Sequence, residues 1–406
     1  NALDSRLVDA RARASSVCEM RWRTARAANA FAGLMPSLDA LLELTREIAA
    51  AKAAAFGCSP YDALLDEYEP GGRAEAIDRL FADLAAFLPS LLVEVKHEQA
   101  ARGRPSPPAG PFPLAAQRQL GVRLMEALGF DFRHGRLDVS LHPFTGGVPD
   151  DVRITTRYTD TDFTRSLMGV LHETGHALYE RGLPAAWRGQ PVGEARGMTA
   201  HESQSLLIEM QVCRGREFMS YLAPLLRQAF GGTGPYWREE NLARVFTKVE
   251  PGLIRVDADE VTYPLHVILR YRIERQLLSG ELALPDLPEA WRRGMRDLLG
   301  IEVPDDRDGC LQDIHWPSGS FGYFPTYTMG ALAAAQLYAA AARQEPSIRP
   351  AIAQGNFTPL LTWLKAKVHG RGSLDPSTDA LLVHATGEPL GTAAFEAHLS
   401  ERYLAA

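Results

Sequence analysis

Residues 172–176 read His-Glu-Thr-Gly-His, and these residue types at this spacing suit metal-dependent hydrolysis. Side chains four positions apart lie on one face of an α-helix, so His172 and His176 could each offer an imidazole nitrogen to one metal ion. Glu173 projects from the same turn and could accept a proton from an attacking water molecule. The pattern therefore predicts a zinc hydrolase in which Glu173 is the general base.

A catalytic zinc ion usually takes three protein ligands, so the chain must supply one more. A third histidine six residues after the second is excluded, because that position is Gly182. The alternative is a side chain from a following helix, and residues 199–205, Thr-Ala-His-Glu-Ser-Gln-Ser, open such a helix. Glu202 and His201 are both candidates, although Glu202 could instead close a capping box with Thr199.

The bulk composition excludes several classes of protein. The chain has 406 residues, of which 46% are hydrophobic and 23% charged, as in ordinary globular proteins. Its net charge of −7 argues against a nucleic-acid partner. No apolar run approaches the ~18 residues that cross a bilayer, and charged residues interrupt any amino-terminal signal peptide. Four scattered cysteines without a C-x-x-C pair predict a reduced, cytoplasmic protein.

The elements that must position these residues are predicted to be mainly helical. The metal-binding helix should begin near Thr161 or Asp162 and end at Gly182, ahead of Pro184. Before it, alternation over residues 137–141 and 152–158 predicts two strands, with Gly146, Gly147 and Pro149 in the turn. Two long helices are predicted within residues 4–57, the second from about 37 to 55. Further helices are predicted at about 73–100, 199–230, 237–249, 262–279, 287–299, 327–344, 357–368, 376–386 and 392–404.

The predicted fold class is therefore mainly α, with a small β-sheet beside the metal-binding helix. A proline-rich loop over 103–113 separates an amino-terminal helical layer, residues 1–102, from residues 103–406. The whole chain, 1–406, is expected to form one large domain. A strand at the edge of the sheet would suit a peptidase, because an extended substrate can add to it through main-chain hydrogen bonds.

Four further segments place polar groups where packing does not require them. They are His142-Pro-Phe144, Asp151-Val-Arg-Ile-Thr155, Ile254-Arg-Val-Asp-Ala-Asp259 and Gly309-Cys-Leu-Gln-Asp-Ile-His-Trp316, the last running on to Tyr327. Each has a structural explanation by itself: Arg153 as a solvated strand residue, Arg255 as an ion-pair partner of Asp257 or Asp259, His315 as a core histidine.

Taken in order with H-E-x-x-H and H-E-S-Q, these segments resemble the carboxypeptidase Taq family of metallocarboxypeptidases, from about Trp22 to the carboxyl terminus. The resemblance implies a helical, cleft-bearing fold of the gluzincin type and Glu202 as the third ligand. It implies a zinc or cobalt ion, and a cytosolic homodimer that releases carboxyl-terminal residues one at a time with broad specificity. Members of the family carry about ninety further residues before the matching region, so this chain is expected to lack them.

A carboxypeptidase must also recognise a free carboxylate and stabilise an oxyanion. Arginine suits the first task because its planar fork can donate two hydrogen bonds, and Arg255 and Arg153 are the candidates. His142 and Gln312, from the matching segments, are further candidate substrate-binding residues. His315 together with Tyr323 or Tyr327 is the candidate oxyanion donor, and the choice between the two tyrosines stays open.

Three alternative functions remain at the level of sequence. An endopeptidase with the same ligands is opposed only by the candidate carboxylate-binding arginines. An aminopeptidase would need a segment of the Gly-x-Met-x-Asn type before the metal helix, which the sequence lacks. A helical binding protein that retains an inactive metal site is opposed by the presence of His172, Glu173, His176 and Glu202 together.

Overall fold

The computed structural model describes residues 2–405, which form sixteen α-helices and three β-strands. In chain order these are α1 Ser5–Ala28, α2 Phe31–Phe56, α3 Pro60–Leu65, α4 Ala74–Ala101, α5 Leu114–Ala127, β1 Gly135–Val139, β2 Phe144–Val148, β3 Asp151–Thr156, α6 Thr164–Gly182, α7 Met198–Leu206, α8 Arg216–Phe230, α9 Glu239–Phe246, α10 Tyr263–Ser279, α11 Leu287–Leu299, α12 Pro325–Gln344, α13 Ile348–Ala353, α14 Thr358–Lys367, α15 Thr378–Thr386 and α16 Ala393–Tyr403. The mainly helical fold with a small sheet is as predicted.

The chain divides into two compact units, and each is discontinuous in sequence. One unit combines the chain up to Lys96 with Val249–Thr328, and the other combines His97–Lys248 with the chain from Met329 onwards. The predicted loop over 103–113 therefore lies just after a unit boundary. That the two units act as one catalytic domain stays a prediction. Within residues 2–405, no helix has the length and hydropathy needed to cross a bilayer.

The sheet of the second unit has three strands in the order β1-β3-β2. β1 runs parallel to β3, whereas β2 pairs with β3 in the antiparallel direction. Buried side chains of β1 and β3 pack against α5 and α6 in one hydrophobic core, whose members are Met125, Phe130, Leu137, Val152, Ile154, Val170 and Ala177. This core fixes α6, the helix that carries His172 and His176, against one face of the sheet.

The prediction of a turn at Gly146 and Gly147 was wrong, because both residues lie within β2. The turn is shorter and consists of Pro149 and Asp150, since Val148 pairs directly with Asp151. Gly147 adopts φ +107°, and a Cβ there would lie 2.2 Å from the main-chain oxygen of Asp151. A glycine inside a strand often marks such a close backbone approach, but its low strand propensity hides the strand from pattern analysis.

Two predicted helix boundaries were also wrong. α2 begins at Phe31 rather than near Ser37, because Pro36 removes a single hydrogen bond close to the helix start while Phe31 and Leu34 are buried. The helix predicted over 199–230 is interrupted: α7 ends at Leu206, a π-helical turn spans Leu207–Val212, and α8 follows from Arg216. The apolar pattern continues through this interruption, so periodicity alone does not reveal it.

Helices α6 and α7 approach each other closely at Gly175, inside the His-Glu-Thr-Gly-His segment. A Cβ at this position would lie 2.4 Å from the main-chain oxygen of Gln204 and 2.6 Å from the Cα of Ser205. Real Cβ atoms are not found this close to backbone, so any side chain would force the helices apart. The glycine therefore allows α7 to bring its polar residues up to those of α6.

We expect Gly175→Ala to lower both stability and metal affinity, because the added methyl group must displace the α7 backbone. Overpacking of this kind typically costs about 1–3 kcal/mol. The measurements are the thermal midpoint without metal and zinc affinity by chelator competition.

Gly33→Ala is the matched control, since Gly33 is also helical but has no atom within 4 Å of the place that the new methyl group would take. It should be neutral or stabilising by up to about 1 kcal/mol. Equal behaviour of the two variants would contradict the role assigned to Gly175.

Candidate metal centre

The two histidines of α6 and Glu202 of α7 bring three potential ligand atoms together. His172, His176 and Glu202 each offer one such atom, and these atoms all lie within 4.8 Å of one another. The Glu202 Oε2 atom is 3.3 Å from His176 Nε2 and 4.0 Å from His172 Nε2. The three side chains come from two helices and converge because of the approach at Gly175.

This group of atoms fits a divalent metal ion. Two imidazole nitrogens and one carboxylate oxygen are a common ligand set of catalytic zinc sites, which keep a further position open. Tetrahedral ligands with bonds of about 2.0–2.1 Å are roughly 3.3 Å apart, close to the separation of Glu202 Oε2 and His176 Nε2.

The second ring nitrogen of His172 is held by a carboxylate. Its Nδ1 lies 3.0 Å from Glu209 Oε2, and Arg214 donates to the other carboxylate oxygen of Glu209 at 2.6 Å. Burial opposes ionisation of Glu209, but Arg214 and the bond with His172 lower its pKa to about 2. Glu209 is therefore ionised and accepts from Nδ1, which leaves Nε2 of His172 for a metal.

The second ring nitrogen of His176 is held differently. Its Nδ1 lies 2.6 Å from Nδ1 of His201, and Nε2 of His201 lies 2.7 Å from Glu180 Oε1. His201 thus faces the side of His176 that is opposite the Glu202 carboxylate. This geometry separates His201 from the three converging ligand atoms, and it favours Glu202 over His201 as the third ligand.

Glu173, the candidate base, contacts the edge strand of the sheet. The Thr145 hydroxyl of β2 lies 2.6 Å from Glu173 Oε2 and 3.0 Å from the Glu173 main-chain oxygen. The Glu173 side chain is buried, with 7% of the residue exposed. A hydrogen bond to one carboxylate oxygen fixes the side chain and leaves the other oxygen to accept from a water molecule.

The candidate substrate-binding and oxyanion-stabilising residues are distant in sequence from the candidate metal ligands, and most of them belong to the first unit. There Arg255 donates from Nε and Nη2 to Asp313 Oδ1 at 3.0 and 2.8 Å, and Arg270 donates to Asp313 Oδ2 at 2.6 Å. Burial opposes ionisation of Asp313, but the two guanidinium groups hold its pKa well below the usual range. Asp313 therefore balances two buried cations, and its loss would leave both uncompensated.

The aromatic candidates pack around Arg255. Its guanidinium carbon lies 4.7 Å from the ring centre of Tyr327, and the Tyr327 hydroxyl lies 3.0 Å from His315 Nε2. Burial, and then the positive charge of Arg255, lower the pKa of His315 to about 3, so this imidazole is neutral. The Tyr323 ring contacts both the His315 and Tyr327 rings, with centres 5.5 and 5.1 Å away.

Gln312 uses its side-chain amide to hold backbone of the first unit. Its Oε1 accepts from the main-chain N–H of Arg255 at 2.9 Å, and its Nε2 donates to the main-chain oxygens of Leu253 and Asp308. These bonds fix the segment that carries Arg255. The predicted role of Gln312 as a substrate-binding residue stays a prediction, but its amide is already engaged with main chain.

Two candidates belong to the sheet region of the second unit. Arg153 on β3 pairs with Asp151 at 2.7 Å, and 57% of its side chain is exposed. His142 is an exposed residue between β1 and β2, and its main-chain oxygen accepts from the Thr155 hydroxyl at 3.0 Å. The structural explanation given for Arg153, a solvated strand residue, fits its exposure.

One buried carboxylate of the first unit joins three segments. Glu274 accepts from the Tyr61 hydroxyl at 2.9 Å, from the Gly322 main-chain N–H at 2.6 Å and from the Trp316 indole at 2.8 Å. Burial raises its pKa to about 7, although these three donors oppose the shift. Glu274 therefore anchors both ends of the loop that follows His315.

The raised pKa of Glu274 predicts a pH-dependent contribution to stability. The folded protein binds the proton of the Glu274 carboxyl group more tightly than the unfolded chain does. The contribution of this group to the free energy of unfolding is therefore complete below about pH 4.5 and is lost as pH rises through 7. The free energy of unfolding lost in this way amounts to roughly 3 kcal/mol. Relative to wild type, Glu274→Gln should gain stability between pH 5 and pH 8 in urea unfolding, whereas a constant difference would contradict the raised pKa.

Sequence reasoning missed four residues around the candidate site: Thr145, Glu180, Glu209 and Arg214. Thr145 contacts Glu173 and Glu209 contacts His172, whereas Glu180 contacts His201 and Arg214 contacts Glu209. A local signal existed for Glu180, which lies four residues after His176 and therefore on the same helix face. Glu209 gives no such signal because it lies in the π-helical turn. Single π-helical turns occur often at functional sites, but no sequence rule places them.

Comparison with known proteins supports the class that the candidate metal site indicates, a metal-dependent peptidase. Residues 1–403 match the family model described as carboxypeptidase Taq (M32) metallopeptidase. The chain is 42% identical over 413 residues to thermostable carboxypeptidase 1 of Thermus thermophilus, covering 100% of this chain and 80% of that protein. It is 36% identical over 391 residues to carboxypeptidase 1 of Bacillus subtilis, covering 96% and 77%.

The solved structure of Trypanosoma cruzi metallocarboxypeptidase 1 superposes with a TM-score of 0.96 at 44% identity, covering 99% of this chain and 81% of that one. The fold and the His/Glu group are those of a helical metallopeptidase. The chain belongs to the carboxypeptidase Taq (M32) family of metallopeptidases. It is accordingly a metal-dependent carboxypeptidase whose substrates are peptides.

Proposed function

We propose that the chain is a zinc carboxypeptidase of broad specificity in which Glu173 is the general base. The observation that carries this proposal is the convergence of His172, His176 and Glu202, with Glu173 buried in the same helix turn. A divalent ion held by these three side chains supplies Lewis-acid chemistry, which polarises a carbonyl group and makes water a better nucleophile at neutral pH. The protein supplies the proton transfers and the substrate contacts.

Glu173 accepts the proton of the attacking water and then delivers it to the leaving amine. The Thr145 hydroxyl orients the carboxylate by donating to Oε2, so the other carboxylate oxygen is available for both proton transfers. A positioned base of this kind typically contributes about 10²–10⁴ in rate. Glu173 is therefore expected to affect turnover far more than metal binding.

Arg255 is proposed to bind the free carboxylate of the substrate. Asp313 already accepts from Nε and Nη2 of this side chain, which fixes the plane of the guanidinium and leaves its Nη1 edge for a ligand. Gln312 supports it through the Arg255 main chain. Arg153 and His142 remain proposed contacts of lower rank, since Arg153 is exposed and paired with Asp151.

His315 and Tyr327 are proposed to stabilise the oxyanion. With the imidazole proton on Nε2, the Tyr327 hydroxyl accepts from His315 and can donate its own proton to the substrate oxygen.

Loss of one such hydrogen-bond donor to the oxyanion typically lowers kcat by about 10²–10³. Tyr327→Phe should show this loss with little change in KM, and a larger loss in Tyr323→Phe would transfer the role to Tyr323.

Zinc is proposed as the ion because of the ligand set, with cobalt as the alternative. Metal analysis of the purified protein, and reconstitution of the chelated protein with each ion, test this choice.

A cytoplasmic location and a homodimer are proposed from the family resemblance. Light scattering after size exclusion tests the dimer, and a monomeric mass would contradict it.

The proposed activity predicts a ladder of products from a peptide with a free carboxyl end. A ten-residue peptide, incubated with zinc-loaded enzyme, should lose residues one at a time from that end in mass spectra. The amidated peptide should be cleaved far more slowly, and a chelator should stop both reactions. Internal cuts in both peptides would instead identify an endopeptidase.

The same assay compares the two candidate arginines as matched variants. Arg255→Lys keeps the charge but loses the fork, so the preference for the free-acid peptide should fall by about tenfold or more, as expected for a hydrogen bond to a charged group worth about 1.5–3 kcal/mol. Arg153→Lys should leave that preference unchanged. The reverse result would assign the carboxylate to Arg153.

Glu173→Gln should retain zinc and lose at least about 100-fold in kcat, because the amide keeps the shape of the side chain but cannot accept the proton. Zinc content and kcat on the free-acid peptide are the measurements. Turnover within a few-fold of wild type, with zinc bound, would remove Glu173 as the base.

A further inference from the structure

We propose that Glu180 and His201 are positioning residues that fix the tautomer of His176, so that its Nε2 carries a lone pair for the metal. The feature that points to this role is a continuous hydrogen-bonded chain. It runs from His176 Nδ1 to His201 Nδ1 at 2.6 Å, and from His201 Nε2 to Glu180 Oε1 at 2.7 Å. The inference rests on the proposed function, because it takes His176 as a ligand.

The direction of each hydrogen bond follows from the chemistry of the imidazole ring. A neutral imidazole has one nitrogen that donates and one that accepts. Glu180 offers only acceptor oxygens when ionised, so it selects the form of His201 that carries its proton on Nε2. His201 Nδ1 is then an acceptor, and His176 must carry its own proton on Nδ1. The Nε2 atom of His176 is thereby left unprotonated.

The comparison with His172 shows why an intermediate residue is needed. His172 donates directly to the Glu209 carboxylate, which can only accept. His176 meets another imidazole, and two imidazoles can also adopt an arrangement in which both facing nitrogens carry protons and repel each other. Only the carboxylate at the far end of the chain excludes that arrangement. Glu180 therefore does for His176, through His201, what Glu209 does for His172 directly.

The surrounding structure holds this chain of bonds in place. His176 and Glu180 are four residues apart on α6, so both face α7. His201 lies in the first turn of α7, where its main-chain N–H bonds to the Gly197 oxygen at 3.0 Å. The Tyr179 ring contacts the His201 ring edge-on at 5.3 Å between centres. His201 is thus confined between two elements whose separation Gly175 allows.

The test is a double-mutant comparison read by zinc affinity in chelator competition, a measurement that needs no turnover. Glu180→Gln keeps the shape but no longer forces one tautomer, and removal of such a partner typically costs about 10–100-fold in metal affinity. His201→Asn places an amide oxygen close to where Nδ1 lies, so it should retain affinity within a few-fold of wild type. In the His201→Asn background, adding Glu180→Gln should have no further effect.

Glu217→Gln is the matched control, because Glu217 is a similarly exposed carboxylate of the second unit that pairs with Arg349 instead. It should leave zinc affinity unchanged. If Glu180→Gln weakens zinc equally with and without His201, the carboxylate acts only through its charge and the proposal is overturned. No effect of Glu180→Gln in the wild-type background also overturns it.

The result of this zinc-affinity test can be distinguished from the result of the peptide-cleavage test of the proposed function. Zinc binding without peptide cleavage would contradict the carboxypeptidase proposal while leaving the affinity comparison decisive. No zinc binding by the wild-type chain would overturn both. The tautomer itself is observable in long-range ¹H–¹⁵N spectra of the zinc-loaded protein, where His176 and His201 should appear protonated on Nδ1 and Nε2, respectively.

Discussion

The metal centre depends first on the contact between α6 and α7 at Gly175. One helix carries two candidate ligands and the candidate base, and the other carries the third candidate ligand, so their separation decides whether the atoms converge at all. The missing Cβ of Gly175 admits the α7 backbone at Gln204 and Ser205. On another side of α7, a Cβ at Gly330 would lie 2.8 Å from the Cβ of Glu202, so a second glycine makes room for this candidate ligand.

Buried charge is the second constraint, and both units meet it by pairing. Glu209 is partly buried next to the candidate metal site and is balanced by Arg214 and by its bond with His172. In the first unit, Asp313 lies between two buried arginines. An unpaired charge at either place would cost several kcal/mol, whereas the paired groups hold neighbouring side chains in one orientation. The orientation of Arg255 over Tyr327 is a consequence of this pairing.

Local patterns were sufficient for the long helices and for part of the site. The boundaries of α6 were close to those predicted, because a polar start signal and a terminal glycine bracket a strongly periodic segment. The face shared by His172 and His176 follows from their spacing alone. Patterns failed where glycines form part of a strand, as in β2, and where an apolar run hides a π-helical turn, as at Leu207–Val212.

The sequence by itself determined which residue types could bind metal and which of them share a helix face, because a helix has a fixed period of about 3.6 residues. The motif series also identified the family. Only the tertiary structure decided that Glu202 converges with the histidines while His201 turns to the other nitrogen of His176. It likewise decided that Glu209 bonds to the His172 ring and Glu180 to the His201 ring. Such pairings depend on how closely separate helices approach, and that distance is set by packing between segments remote in sequence.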